Sequence, residues 1–172
     1  SSFYENGLYK VEDLEHGRRV DGKNISKEEL MTVYGSLIKE FNLLSIEDPF
    51  HEEDFASFSE LKKNNRKLIV VGDDLTVTNK SRLREAMKND SINAMIVKPN
   101  QIGTLSETLE VMNLARENDI ELIVSHRGEE TDDDFIADLV FAFNCFGLKS
   151  GSPRKSERMI KYKRLIEIVG HH

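Results

Sequence analysis

The stretch Lys67-Leu68-Ile69-Val70-Val71-Gly72-Asp73-Asp74 decides the fold. Its apolar centre is continuous rather than alternating, the pattern of a strand buried on both faces, as in a parallel sheet. A glycine and two aspartates then stop the run, so the strand delivers carboxylates at its C-terminal end. Reading outward, similar runs rich in Leu, Ile and Val fall at 43–46, 92–97, 121–125 and, more weakly, 147–150. They recur at roughly 25-residue intervals, which leaves room for a helix in each gap. Helices are expected at 26–41, 53–64, 80–89, 105–117, 132–145 and 154–168. Their start signals are local: Ser26 with Glu29 and Thr104 with Glu107 form capping boxes, and Thr131 precedes three aspartates. Strands alternating with helices make an α/β protein with right-handed crossovers. The first 25 residues depart from the rhythm. Polar, turn-rich segments (Glu5-Asn6-Gly7 and Asp21-Gly22-Lys23-Asn24) read as a loop or hairpin.

Composition narrows the function classes. At 172 residues the chain fits one domain with a real core. With 38% hydrophobic and 32% charged residues it is not a disordered chain. The longest mostly apolar stretch, 135–146, is interrupted by Asp138 and too short to cross a bilayer. No signal peptide is evident, and the single cysteine, Cys145, excludes an internal disulfide framework and fits a reducing compartment. Cys145 lies in an apolar helical pattern and reads as core. The net charge of −7, with both signs interleaved, argues against a nucleic-acid partner. The basic run 154–164 is mixed with Ser156, Glu157 and apolar residues and reads as a solvated helix face. The chain opens Ser-Ser without methionine and ends in His171-His172, which suggests a processed or partial chain with a tag remnant at 171–172.

An ionisable residue ends every strand: Glu47-Asp48 before Pro49, Asp73-Asp74, Lys98, His126-Arg127 and Lys149. In a parallel sheet or barrel the C-terminal strand ends lie on one face, where active sites are built. One rim would therefore gather carboxylates, two lysines, an arginine and a histidine. Carboxylate oxygens such as those of Glu47 and Asp73 suit Mg²⁺, and no Cys/His cluster suits zinc. A lysine beside a bound cation has its pKa pushed down and can act as a base. The remaining cations can hold an anionic substrate. The set suggests metal-assisted proton abstraction next to a carboxylate, with the cations stabilising the enediolate.

The motifs themselves resemble enolase, in enolase's order. They are Ser45-Ile46-Glu47-Asp48-Pro49-Phe50, Gly72-Asp73-Asp74-Leu75-Thr76-Val77-Thr78-Asn79, Lys98-Pro99-Asn100-Gln101-Ile102-Gly103 and Ser125-His126-Arg127. Phe135-Ile136-Ala137-Asp138-Leu139, Gly151-Ser152-Pro153, Ser156-Glu157-Arg158 and Lys161-Tyr162 continue the match over nearly the whole chain. The resemblance implies a partial (β/α)8 TIM-like barrel, the C-terminal domain of the family, with about five parallel strands. As a single domain over 1–172, it would have a loop or hairpin at 1–25 and a helix followed by β/α units at 26–170.

The resemblance also implies roles. Glu47 and Asp73 would bind Mg²⁺, and Lys98 would be the base that removes the C2 proton of 2-phosphoglycerate. Lys149 would meet the substrate carboxylate, His126 would line the pocket, and Arg127 would bind the phosphate; a lysine base beside Mg²⁺ is a known pattern of the superfamily. Asp74 reads as a supporting carboxylate. The family usually reads Ser-His-Arg-Ser-Gly-Glu-Thr, whereas this chain reads Ser125-His126-Arg127-Gly128-Glu129-Glu130-Thr131. Gly128 thus stands in place of a serine that helps hold the phosphate, with its backbone N–H as the remaining donor. Glu129 adds a negative charge that costs affinity for a dianion unless it points away. The family's third metal ligand and its acid glutamates lie upstream of the segment matched by Ser1. The chain is therefore expected to be a portion of enolase, inactive alone and completed by the upstream part or a second copy, with a homodimer and a cytoplasmic setting. The alternatives are a truncated, non-catalytic binding or assembly module and a superfamily member acting on a non-phosphorylated acid.

Overall fold

The computed structural model describes residues 3–15 and 18–170; the tag remnant expected at 171–172 lies outside them. The opening segment forms a small antiparallel sheet of β1 (Tyr4–Glu5), β2 (Leu8–Glu15) and β3 (Arg18–Ile25), in the order β1-β2-β3. Asn6 and Gly7 link the first two strands with φ of 52° and 84°. Two successive left-handed residues are what a tight two-residue hairpin turn requires, and Asn-Gly supplies them cheaply. The sheet is tied to the rest of the chain through aromatic rings. Tyr9 is 6.2 Å from the Phe50 ring, and its hydroxyl accepts the His51 N–H at 2.9 Å.

The remainder alternates as read from the sequence: α1 (Lys27–Phe41), β4 (Ser45–Glu47), α2 (Phe55–Asn64), β5 (Ile69–Gly72), α3 (Lys80–Lys88) and β6 (Ala94–Val97). There follow α4 (Pro99–Ile102), α5 (Leu105–Arg116), β7 (Glu121–Ser125), α6 (Phe135–Ala142), β8 (Gly147–Lys149) and α7 (Ser156–Gly170). The five strands β4-β5-β6-β7-β8 pair in sequence order, all parallel, which with the intervening helices is a partial TIM barrel.

Continuous apolar strands are buried on both faces because successive side chains point opposite ways. Along β6, Met95 and Val97 join the large cluster under the helices, with Phe58, Leu61, Leu83 and Met112. Ala94 and Ile96 join Val71, Ile69 and Ile123 in a second, smaller cluster on the other face. Cys145 is packed against the larger cluster, and burial pushes its thiol up to about 11.

Helix α1 begins as its sequence signal implies: Ser26 Oγ accepts the Glu29 N–H, and the Glu29 carboxylate accepts the Ser26 N–H. α6 does not. A helix from 132 was expected after Thr131, but α6 starts at Phe135. Local side-chain bonds compete with the helix: the Asp133 carboxylate accepts the Phe135 N–H at 2.9 Å, and Thr131 O is held by Lys161 Nζ at 2.8 Å. The short α4 after Lys98 was also not anticipated. The solvated-face reading of 154–164 is corrected at two positions, because Arg158 is 8% exposed and Lys161 1%. Their polar heads turn inward onto backbone carbonyls. No helix among the described residues is long and apolar enough to cross a membrane.

Candidate active site

The C-terminal ends of β4, β5, β6 and β8 bring four charged side chains into one chain of contacts. Lys98 Nζ lies 2.6 Å from both carboxylate oxygens of Asp73. Lys149 Nζ lies 2.6 Å from Glu47 Oε1 and 3.9 Å from Asp73 Oδ2. The link between Glu47 and Lys149 spans 102 residues of sequence, so only the parallel strand order creates it. The Asp73 and Lys98 side chains are only 9% and 15% exposed. An ion pair this dry is costly to desolvate and is weak evidence for stability. Its presence at a strand-end rim points instead to chemistry.

The loop after β5 supports this pair at a cost in backbone strain. Val77 and Thr78 both have positive φ, 44° and 54°, a region that β-branched residues rarely enter. Each such residue costs on the order of 1–3 kcal/mol and persists only where its surroundings fix it. The reward is visible in Thr78, whose Oγ accepts the Lys98 N–H at 2.9 Å and so fixes the base of the lysine. Nothing in the sequence marks Thr78 for this role.

Asp48 shows why three clustered carboxylates need not make a metal site. Ligand atoms of Asp48, Asp73 and Asp74 lie within 4.8 Å of one another. The two Asp48 oxygens, however, are turned to the backbone, accepting the Asp73 N–H at 2.9 Å and the Asp74 N–H at 2.7 Å. Burial pushes Asp48 up to about 6. It acts as a clamp between β4 and β5, and Asp74 is exposed beside it.

The loop after β7 carries the other expected residues. The His126 N–H donates to Lys149 O at 2.9 Å, which ties the loop to β8, and its Nδ1 lies 2.5 Å from Arg127 O. Arg127, Gly128 and Glu129 are exposed, whereas Glu130 turns in to pair with Lys161 at 2.8 Å. The structure thus joins Glu47, Asp73, Lys98 and Lys149 directly and links His126 to them through the Lys149 backbone. Arg127 and Gly128 stand on the adjoining loop and, among the described residues, form no hydrogen bond or ion pair with the four. Three participants were given no role from the sequence: Thr78, Arg158 and Lys161.

With this geometry in place, the likeness to known proteins can be stated. The family model described as enolase, C-terminal TIM barrel domain, matches residues 1–171. The chain is 48% identical to an enolase from Sulfurisphaera tokodaii over 98% of its own length and 38% of that protein's. It is 45% identical to an enolase from Methanocaldococcus jannaschii, again over 98% of this chain, and 37% of the relative. An enolase from Elusimicrobium minutum is 42% identical, with 98% of this chain and 38% of the relative covered. The chain therefore spans well under half the length of these curated relatives. On this breadth and identity, the chain belongs to the enolase C-terminal TIM barrel family.

Proposed function

We propose that this chain supplies the metal and base side of an enolase active site, serving the Mg²⁺-dependent, reversible dehydration of 2-phosphoglycerate to phosphoenolpyruvate in glycolysis. The observation that carries this reading is the continuous contact Glu47–Lys149–Asp73–Lys98. Glu47 and Asp73 fit a hard divalent cation, since both offer carboxylate oxygens and the Lys149 ammonium already lies between them. Bound by these two, Mg²⁺ would neutralise the charge that develops on the substrate carboxylate. Lys98 takes the C2 proton, and Asp73, with both oxygens 2.6 Å from Nζ, fixes the amine's direction. Lys149 pairs with the substrate carboxylate, and the partly buried His126 lines the pocket. The exposed Arg127 guanidinium takes the phosphate, with the Gly128 N–H as a second donor.

No described rim residue is assigned as the acid for the departing hydroxyl. Burial raises Asp48 to about 6, but its oxygens face two backbone amides. The reading is of a chain that is inactive in dehydration by itself and works with further enolase sequence; a cytoplasmic homodimer is its expected setting. Gly128 and the exposed Glu129 favour one alternative, a non-catalytic binding or assembly module.

Solvent exchange at C2 separates these readings. With 2-phosphoglycerate and Mg²⁺ in D₂O, the chain should incorporate deuterium at C2 above the buffer rate, lose this in Lys98→Met, and form no phosphoenolpyruvate. No exchange in the unaltered chain contradicts the base assignment, and phosphoenolpyruvate formation contradicts the inactivity.

A further inference from the structure

Two buried cations on α7 hold one face of the loop that follows β7. The Arg158 guanidinium donates through Nη1 to Arg127 O at 2.9 Å and through Nη2 to Gly128 O at 2.8 Å. Lys161 Nζ donates to Thr131 O at 2.8 Å, pairs with Glu130 at 2.8 Å and is anchored on its own helix by Glu157 O. Glu130 in turn accepts the Arg127 N–H at 2.6 Å. The Ser125 hydroxyl takes His126 O, so the carbonyls of 126, 127, 128 and 131 are all engaged.

The consequence follows from peptide geometry. Every described peptide bond is trans, so each carbonyl points opposite to the N–H of the next residue. Arg127 O and Gly128 O both face Arg158; the N–H groups of Gly128 and Glu129 therefore face away from it together. Neither amide has a hydrogen-bond partner among the described residues. Two adjacent N–H groups aimed the same way form an anion-binding concavity, and Arg127 adds a full charge beside it. Lys161 meanwhile neutralises Glu130, so one of the loop's two glutamates does not oppose an incoming anion. Gly151 makes room for this arrangement: a Cβ there would lie 3.4 Å from the His126 ring and 3.6 Å from Arg158 Cδ.

We propose that Arg158 and Lys161 are positioning residues for the phosphate end of the site: by capturing the carbonyls of 127, 128 and 131, they present the Gly128 and Glu129 amides to a phosphate group. The backbone thereby supplies donors where Gly128 lacks a hydroxyl. This deepens the enolase reading and rests on it.

Amide hydrogen exchange, followed by NMR on the whole chain, tests the positioning without any ligand. Arg158→Lys keeps the charge but loses the two-pronged contact. It should accelerate exchange about tenfold at the Arg127 amide, which the loop protects through Glu130, the usual weight of a lost charge-assisted hydrogen bond, with β5 to β7 unchanged. In the same samples, millimolar inorganic phosphate should shift the Gly128 and Glu129 amides of the unaltered chain and shift them less in Arg158→Lys. Glu130→Gln, which leaves Arg158 in place and weakens both the Lys161 pairing and the Arg127 N–H contact, serves as the milder second variant and should move exchange in the same direction. Equal exchange in all three proteins, or an increase spread evenly over the strands, overturns the positioning role. Loosening of the loop with no phosphate shift in the unaltered chain overturns the anion-presenting half of the proposal and, separately, the assignment of this loop to substrate phosphate.

Discussion

Asn93 and Asp48 do the same mechanical work at opposite ends of the parallel sheet, with opposite chemistry. Below, where the strands begin, Asn93 Oδ1 accepts the Val70 N–H at 2.7 Å and its Nδ2 donates to Leu68 O at 3.1 Å. A neutral amide thus satisfies a donor and an acceptor of the neighbouring strand, with no charge to desolvate. Above, where the strands end, Asp48 accepts two backbone N–H groups with a carboxylate that burial disfavours. Around it stand the nearly buried Asp73–Lys98 pair and the Lys149 bridge to Glu47. The lower end is built as stability alone would build it. The upper end keeps charges that an apolar or amide design would avoid, and this is where a site for a small anion and its cation belongs.

The contrast can be broken first from below. Asn93→Ala should cost about 3 kcal/mol, because the buried Val70 N–H loses its acceptor and Leu68 O its donor; urea unfolding measures it. A second experiment varies pH. The folded-state pKa of Asp48, about 6, lies above its ordinary 3.8, so the proton favours the folded chain. Its contribution is complete below about pH 4 and lost as pH rises through 6, a change on the order of 2 kcal/mol. The stability difference between the unaltered chain and Asp48→Asn should therefore vary across this window, whereas Asn93→Ala should cost the same at pH 4 and pH 7. The smallest effect is expected at the centre of the rim. Lys98→Met and Asp73→Asn should each destabilise singly, yet together they should change stability by no more than about 1 kcal/mol, since both buried charges are then gone. A double variant as damaging as the sum of its parts would mean the pair is there for stability.

Much of this was legible in the sequence because the signals were local and repeated. Continuous apolar runs closed by Glu47, Asp73, Lys98, His126 and Lys149 gave both the parallel sheet and the rim, since strand direction alone places all five ends on one side. What escaped depends on partners distant in sequence. Thr78 reaches Lys98 across 20 residues, and Arg158 reaches Arg127 and Gly128 across some 30. In sequence, Arg158 and Lys161 are two more cations in a mixed helix; only tertiary packing turns them inward. The first 25 residues read as a loop or hairpin, and their described part forms a three-stranded sheet, because the very short β1 carries too few residues to show alternation. The delayed start of α6 was hidden by aspartates that cap in one context and form turns in another.

The central claim is that Glu47, Asp73, Lys98 and Lys149 act as one cation-responsive unit. It is tested most directly by titrating the chain with Mg²⁺ while following backbone amides by NMR. The account predicts that the amides of all four residues shift together with one midpoint, and that Asp73→Asn raises the concentration required. Shifts confined to Asp48 and Asp74, or a midpoint unchanged in Asp73→Asn, would contradict it.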